Sequence, residues 1–356
     1  MKICLLGDTH LGSRNNCEIF NNHFLTFFNQ IFFPYLEEHQ IKTIIHLGDL
    51  GEYRKNVNTM ILDSWNKNIF ERLKDYECYF ISGNHDLFYR QSNQITLQSS
   101  LNLDKIFGFN LITSSPETII LDKLKLDLIP WISASNRTNI QNHIFKSSSP
   151  ILLCHLETSG ALMSPGQFCK ESQINNDILA QYNKVLSGHF HMRSQTDNVI
   201  YIGNTYDIIW SDYGYQKGFV ILDTDTLELE YINNPNNIFE KIIFDEIIKS
   251  KEINYEMFSK KHIKVYITHN SKKAKVESFI TTLEKVNPLS VIIQDLGFQQ
   301  VNEDKQDVIE YNSKETIFYI QSYLDNLFNN QKMNLNKDNL FNTMNEIYIA
   351  AQQMDF

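Results

Sequence analysis

The sequence predicts an α/β fold built from successive βαβ units, and three observations carry that reading. Short apolar runs recur through roughly the first two hundred residues: KICLLGDTH, TIIHLGD, CYFISGNHD, LDLIPW, ILLCHLE, KVLSGHFH and NVIYIGN. Such continuous runs suit strands buried on both faces of a sheet. Helical periodicity fills the gaps between the first three runs. Most runs also end in a cluster of Gly, Asp, Asn or His, so polar residues from successive strands are expected to meet at one sheet edge.

The elements follow in order. After the first run, Phe20, Phe24, Phe27, Phe28, Ile31 and Phe32 share one side of a helix that is expected to stop near Pro34, because proline lacks the N–H a helix interior needs. After the second run, Met60, Ile61, Trp65, Ile69 and Leu73 show the same period. The turn-rich NNPNN at 233–237 marks a change of character. Beyond it, HIKVYITHN, KKAKVESFITTLEKV and LSVIIQDLG read as a small β-α-β unit. A polar stretch, NEDKQD at 302–307, leads to two amphipathic helices near 313–329 and 337–353, with Ile317, Ile320, Leu324 and Leu327, then Leu340, Met344 and Ile347, at helical spacing.

Composition narrows the function classes. With 356 residues and 42% hydrophobic content the chain can bury a sizeable core. It has no apolar run long enough to span a membrane, and its opening MKICLLGDTH lacks a signal-peptide layout, so a cytoplasmic protein is expected. Cys4, Cys17, Cys78, Cys154 and Cys169 lie far apart with no C-x-x-C pair, which reads as buried thiols in a reducing compartment. A net charge of −10 argues against gripping a polyanion by a broad basic surface. If the substrate is nucleic acid, metal ions or a partner must supply much of the attraction.

The chemistry lies in the strand-end clusters. Asp8 and His10 follow the first run, Asp49 the second, and Asn84, His85 and Asp86 the third; His155 follows a later one, and His189 and His191 another. Mixed oxygen and imidazole ligands suit manganese, iron or zinc better than calcium. Two such ions about 3.5–4 Å apart can hold the attacking and leaving oxygens of an in-line displacement at phosphorus. Taken singly, a GD after a strand is more often a turn than a ligand, and GHFH can be two ordinary loop histidines. All the clusters in this order, each after an apolar run, point to one centre. His46, inside TIIHLGD, reads as a core histidine, and His269 is assigned no role.

These motifs, D-x-H, G-D, G-N-H-D, a lone His after a strand and G-H-x-H, resemble those of the calcineurin-like metallophosphoesterases over roughly residues 1–220. The resemblance implies a core of two packed mixed β-sheets flanked by helices, and assigns Asp8, His10 and His191 to one ion, Asn84, His155 and His189 to a second, with Asp49 bridging. It makes His85 the general acid that protonates the leaving oxygen, oriented and polarised by Asp86. Arg54, in GDLGEYR, is similar to a substrate-binding arginine of the family, with a plain surface arginine as the alternative.

Narrower features, GDTHLG at the start, DLIPWIS, GHFH followed by YIGN, and KGFVILDTDT, resemble the SbcD-type nuclease subunits of double-strand-break processing complexes, viral members included. That resemblance implies a manganese-dependent exonuclease and endonuclease, with magnesium, iron or zinc as other candidate ions. It also implies a homodimer, formed through the helices near 55–75 and 93–103, that works with an SbcC-type coiled-coil ATPase on DNA in recombination, repair or replication. The chain then divides into a nuclease domain at 1–235, a small α+β DNA-facing cap at 236–300, a linker at 301–312 and an ATPase-docking helical pair at 313–356. The loop LETSGALMSPGQF after His155 is particular to this sequence, so DNA-end preference is not carried over. Two other readings stand beside this one: a metallophosphatase acting on phosphoproteins or small phosphoesters, and a non-catalytic scaffold for the ATPase. GDLGEYRK lacks the arginine-rich signature of the first, and the second is disfavoured because no ligand is missing.

Overall fold

The computed structural model describes residues 1–164, 166–250, 252–268, 271–295, 340, 341, 343 and 344. The described part lies almost entirely in one compact unit, Met1–Tyr266 with Ser271–Gln294. The expected docking helices fall largely outside the described residues, as does His269.

Two six-stranded mixed sheets form the centre. The first runs in the order Leu229–Asn233, Gly218–Asp223, Lys2–Leu6, Thr43–His46, Glu77–Ile81, Asn110–Ile112. Its last four strands are parallel and its first two antiparallel. The second runs Ser194–Thr196, Val199–Tyr201, Lys184–Gly188, Ile151–His155, Leu124–Ile129, Glu117–Leu121, with four parallel strands inside two antiparallel edges.

The side-chain period of two sorts each strand between layers. Ile3 and Leu5, Ile45, Ile81, Leu126, Leu128, Ile151, Leu153, Leu186, Val220 and Leu222 pack between the sheets. Cys4, Leu6, Ile44 and Phe80 face the other way, into an aromatic layer with Phe20, Phe24, Phe27, Phe28, Phe32, Phe33, Trp65 and Phe70. Leu152, Cys154 and Val185 likewise meet Ile140, Ile144 and Leu179 on the far side of the second sheet. Both faces of each central strand are therefore buried, which is why the strands read as unbroken apolar runs. Truncating one such leucine to alanine costs about 2–5 kcal/mol.

The flanking helices differ in detail from the expectation. The first does not stop at Pro34. Helix Glu18–Phe27 passes through a π-turn, Phe28–Phe32, into Phe33–Glu38, and the Phe33 N–H bonds to the Phe28 carbonyl just ahead of the proline. The π-turn re-registers the helix so that Pro34 falls in the first turn of a new segment, where a missing N–H is tolerated. In the second, Asn58 caps Thr59–Trp65 by accepting from Met60 N (2.9 Å) and Ile61 N (3.2 Å). Ile61, Trp65, Ile69 and Leu73 are buried, whereas Met60 points to solvent.

The expected β-α-β unit forms as strands His262–Ile267 and Ser290–Asp295 with helix Lys273–Glu284 between them, and Phe239–Ile243 adds a third strand. Phe239 packs at a tilt against Trp210 and Phe20, at centroid distances of 4.6 and 6.0 Å, which ties this small sheet to the aromatic layer. All five cysteines are free thiols; four are buried, and Cys17 is half-exposed at a helix start.

Candidate metal centre

The parallel strands Lys2–Leu6, Thr43–His46, Glu77–Ile81, Ile151–His155 and Lys184–Gly188 deliver their carboxyl-end loops to one place. Asp8, His10, Asp49 and His189 all adopt positive φ, at 53°, 45°, 54° and 92°. Non-glycine residues rarely do so, and four such positions in one cluster mark a site whose surroundings enforce the strain. The glycines explain how the loops come so close. A Cβ on Gly83 would lie 2.1 Å from Asp49 Oδ1, and one on Gly188 would lie 2.5 Å from the Leu47 carbonyl and 3.0 Å from Asp8 Oδ2.

The ligand atoms fall into neighbouring groups. Asp8, His10 and His191 each offer one within 4.8 Å of the others, as do Asp49, His155 and His189. Asn84 Oδ1 lies 3.0 Å from His155 Nε2 and 2.9 Å from His189 Nδ1. Asp49 reaches towards both groups: its Oδ2 is 3.9 Å from His10 Nε2 and 3.4 Å from His155 Nε2. Its Oδ1 accepts the His85 N–H at 2.8 Å, and Asp8 accepts that of His189 at 2.9 Å. Every ligand predicted from the sequence is thus in this cluster.

Each histidine is held from outside by one ring nitrogen. His10 Nδ1 meets Glu52 Oε2 at 3.0 Å, His155 Nδ1 the Leu47 carbonyl at 2.7 Å, His189 Nε2 Glu157 Oε1 at 3.0 Å, and His191 Nδ1 Asp212 Oδ1 at 3.5 Å. At His155 and His189 the outer acceptor claims the proton of one nitrogen and leaves the other as a lone pair facing inward, the usual arrangement around metal-bound imidazoles, and a carboxylate stands on the same outer side of His10 and of His191. The Nε2 atoms of His10 and His191 then face each other at 3.2 Å. Two lone pairs this close repel unless a proton or a cation lies by them, so the donor set fits divalent ions.

The electrostatics agree. Against burial, which opposes its charging, His10 is raised to about 9 by Glu52, Asp49 and Asp8. His155 is likewise raised to about 9 against burial, by Asp49 and Asp8. Burial favours the neutral form of Asp49, but His155, His85 and His10 hold it well below the usual carboxylate range. The negative charge that attracts these protons attracts metal cations equally, and metal binding displaces the protons.

His85 stands beside the ligands, edge-on to His10 at 5.0 Å, with Nδ1 2.8 Å from the Glu52 carbonyl. The expectation that Asp86 orients it needs correction. Asp86 is buried, and its two oxygens accept the Gly51 N–H (3.1 Å) and the Gly83 N–H (2.8 Å). Adjacent residues on this turn face opposite ways, so Asp86 ties the two glycine loops together and a main-chain carbonyl orients His85. Burial and the nearby Asp49 raise Asp86 to about 6. Arg54 is half-buried on the same loop as Glu52. His46 is a satisfied core histidine: Nδ1 accepts the Gly48 N–H and Nε2 meets Thr9 Oγ1 at 2.9 Å.

Glu52, Glu157 and Asp212 were missed by sequence reasoning. Glu157 lies two residues after His155, a local signal; Asp212 is twenty-one positions beyond His191 and had none.

The chain matches the calcineurin-like phosphoesterase family over residues 1–193. It is 29% identical over 357 residues to exonuclease subunit 1 of Enterobacteria phage T4, covering 99% of this chain and 100% of that one. Among solved structures it bears a loose likeness to a novel archaeal phosphodiesterase (14% identity, TM-score 0.34, covering 66% of this chain and 100% of that one). Another is the phosphopantetheinyl hydrolase of Mycobacterium tuberculosis (12% identity, TM-score 0.36, covering 66% and 96%). With more than half of its length matched and the motif residues gathered in one cluster, the chain belongs to the calcineurin-like phosphoesterase family and is a metal-dependent hydrolase of phosphoesters.

Proposed function

We propose that the chain is the nuclease subunit of an SbcC/SbcD-type complex, a two-metal exonuclease and endonuclease that processes DNA ends for recombination, repair or replication. The observation that carries this reading is the similarity along essentially the whole chain to a protein named as an exonuclease subunit. The word subunit, on a relative matched end to end, supports a partner, which we take to be a coiled-coil ATPase docked through 313–356. The acidic balance agrees with a partner that contributes DNA contacts. A homodimer, the cap at 236–300 and a cytoplasmic location belong to the same proposal. No helix among the described residues is long and apolar enough to cross a membrane.

In this reading Asp8, His10 and His191 hold one ion, Asn84, His155 and His189 the other, and Asp49 both. Manganese fits the mixed oxygen and nitrogen donors. Two such ions supply positive charge to the phosphodiester and a nucleophilic water at neutral pH. The residues do the rest. His85, its Nδ1 on the Glu52 carbonyl, keeps Nε2 for the proton it gives to the leaving oxygen. The strained Asp8, Asp49 and His189 backbones hold the donors in place before substrate arrives.

The test is a manganese-supplemented assay on linear duplex and single-stranded DNA with the wild type, His85→Ala and Asp8→Ala, with and without the ATPase. Cleavage by the wild type alone among the three supports the proposal. Hydrolysis of small phosphomonoesters with no DNA cleavage, even with the ATPase present, would give the phosphatase reading instead. Copurification with the ATPase that survives deletion after residue 305 would refute the docking assignment.

A further inference from the structure

A buried ion pair stands directly behind the metal centre, outside the motifs that supply its ligands. Asp212 and Lys217 are almost fully buried, at 1% and 4% exposure. The Lys217 ammonium donates to Asp212 Oδ1 and to the His191 main-chain carbonyl, both at 2.9 Å. Asp212 Oδ2 accepts the Ile208 and Ile209 N–H groups, each at 2.9 Å. Its Oδ1 takes Lys217 and faces His191 Nδ1 at 3.5 Å.

Three donors hold the carboxylate, two on Oδ2 and Lys217 on Oδ1, so it is fixed with Oδ1 turned towards the imidazole. Lys217 holds the main chain of His191 and the group that orients its ring in a single grip. The same segment also reaches the first metal loop, because Tyr206 donates its hydroxyl proton to the Thr9 carbonyl at 2.6 Å. Gly218, next to Lys217, lets this segment enter its strand close against the next one: a Cβ there would lie 2.0 Å from the Ile232 carbonyl oxygen.

We propose that Asp212 and Lys217 are positioning residues for one of the two ions. They hold His191 as its Nδ1–H tautomer, with the Nε2 lone pair aimed at the position shared with Asp8 and His10. This inference rests on the two-ion reading above. Glu157 plays the corresponding part for the other position through His189 Nε2. The two ions therefore have separate outer carboxylates and can be weakened separately. A buried pair that served folding alone would fix neither a tautomer nor one ion among two.

The test uses the full-length protein with its histidines 15N-labelled, stripped of metal and titrated with manganese chloride. In the metal-free wild type, 15N shifts should show His191 as the Nδ1–H tautomer; the Nε2–H form there overturns the proposal without any variant. Calorimetry of the wild type should resolve two ions per chain, and fewer would contradict the two-ion reading itself. With two ions confirmed, Asp212→Asn should weaken one binding step about 10- to 100-fold, spare the other and mix the His191 tautomers. Glu157→Gln should weaken the opposite step. Equal weakening of both steps by Asp212→Asn, or a lowered melting temperature with tautomer and affinities unchanged, overturns the proposal.

Discussion

Gly83→Ala tests how tightly the metal loops are packed. The new Cβ would lie 2.1 Å from Asp49 Oδ1, 2.8 Å from its Cγ and 2.4 Å from its main-chain nitrogen. Because one of the clashing atoms is backbone, rotating the Asp49 side chain cannot relieve the contact. Asp49 must retreat by roughly 1 Å to restore an ordinary separation, while metal–ligand distances tolerate about 0.2 Å. A misplacement of that size in a catalytic centre costs about 100-fold in rate, and overpacking adds about 1–3 kcal/mol of instability. The assay is manganese-dependent hydrolysis of bis(p-nitrophenyl) phosphate, with calorimetric manganese binding and a thermal melt in EDTA to confirm folding. Gly108→Ala is the control: its φ is positive, at 76°, unlike that of Gly83, and no atom lies within 4 Å of the added methyl. It should lose a little stability and no activity. If Gly83→Ala keeps activity and manganese affinity within threefold of wild type, the loops are looser than described and the reasoning fails.

Other substitutions separate the remaining roles. His85→Ala should slow phosphodiester hydrolysis about 10²- to 10⁴-fold with manganese affinity unchanged; a parallel loss of affinity would make His85 a ligand instead of the acid. Asp86→Ala leaves two buried N–H donors unpaired, at about 1–3 kcal/mol each, and should appear in urea denaturation as a loss of about 2–6 kcal/mol. A wild-type denaturation curve would show that Asp86 does not tie the loops. Burial lowers His23 to about 4 and His46 to about 3 from an ordinary 6.5. Both are neutral in the fold, so the unfolded chain binds more protons below 6.5. Their stabilisation is complete above that pH and declines as pH falls towards 3–4. Stability of His46→Gln should fall less across that window than that of the wild type; identical slopes would remove His46 from the account. EDTA should abolish hydrolysis, and manganese should restore it.

Most of the metal centre was legible because its chemistry is local. An apolar run followed by ligand-type residues reports a strand and its carboxyl-end loop, and five such reports point to one centre; that three of the strands lie in the first sheet and two in the second, instead of sharing one sheet edge, left no mark in the runs. The outer carboxylates were illegible for the opposite reason. Asp212 reaches His191 only because the first sheet returns antiparallel through Gly218–Asp223 beside Lys2–Leu6, a pairing that no short motif encodes. Asp86 misled through adjacency: next to His85 in sequence, it faces the glycine loops in space. Periodicity located the Phe20–Phe32 helix but not its continuation past Pro34, since a π-turn leaves no clear mark in hydrophobic spacing. Among the strands, uniform burial made the runs visible while hiding which sheet each joins.

The most direct test of the two-metal account is a crystal of the wild-type protein grown with manganese and measured at the manganese absorption edge. Two anomalous peaks are expected about 3.5–4 Å apart, one among Asp8, His10 and His191, the other among Asn84, His155 and His189, with Asp49 bound to both. A single peak, or two peaks that do not share Asp49, would contradict it.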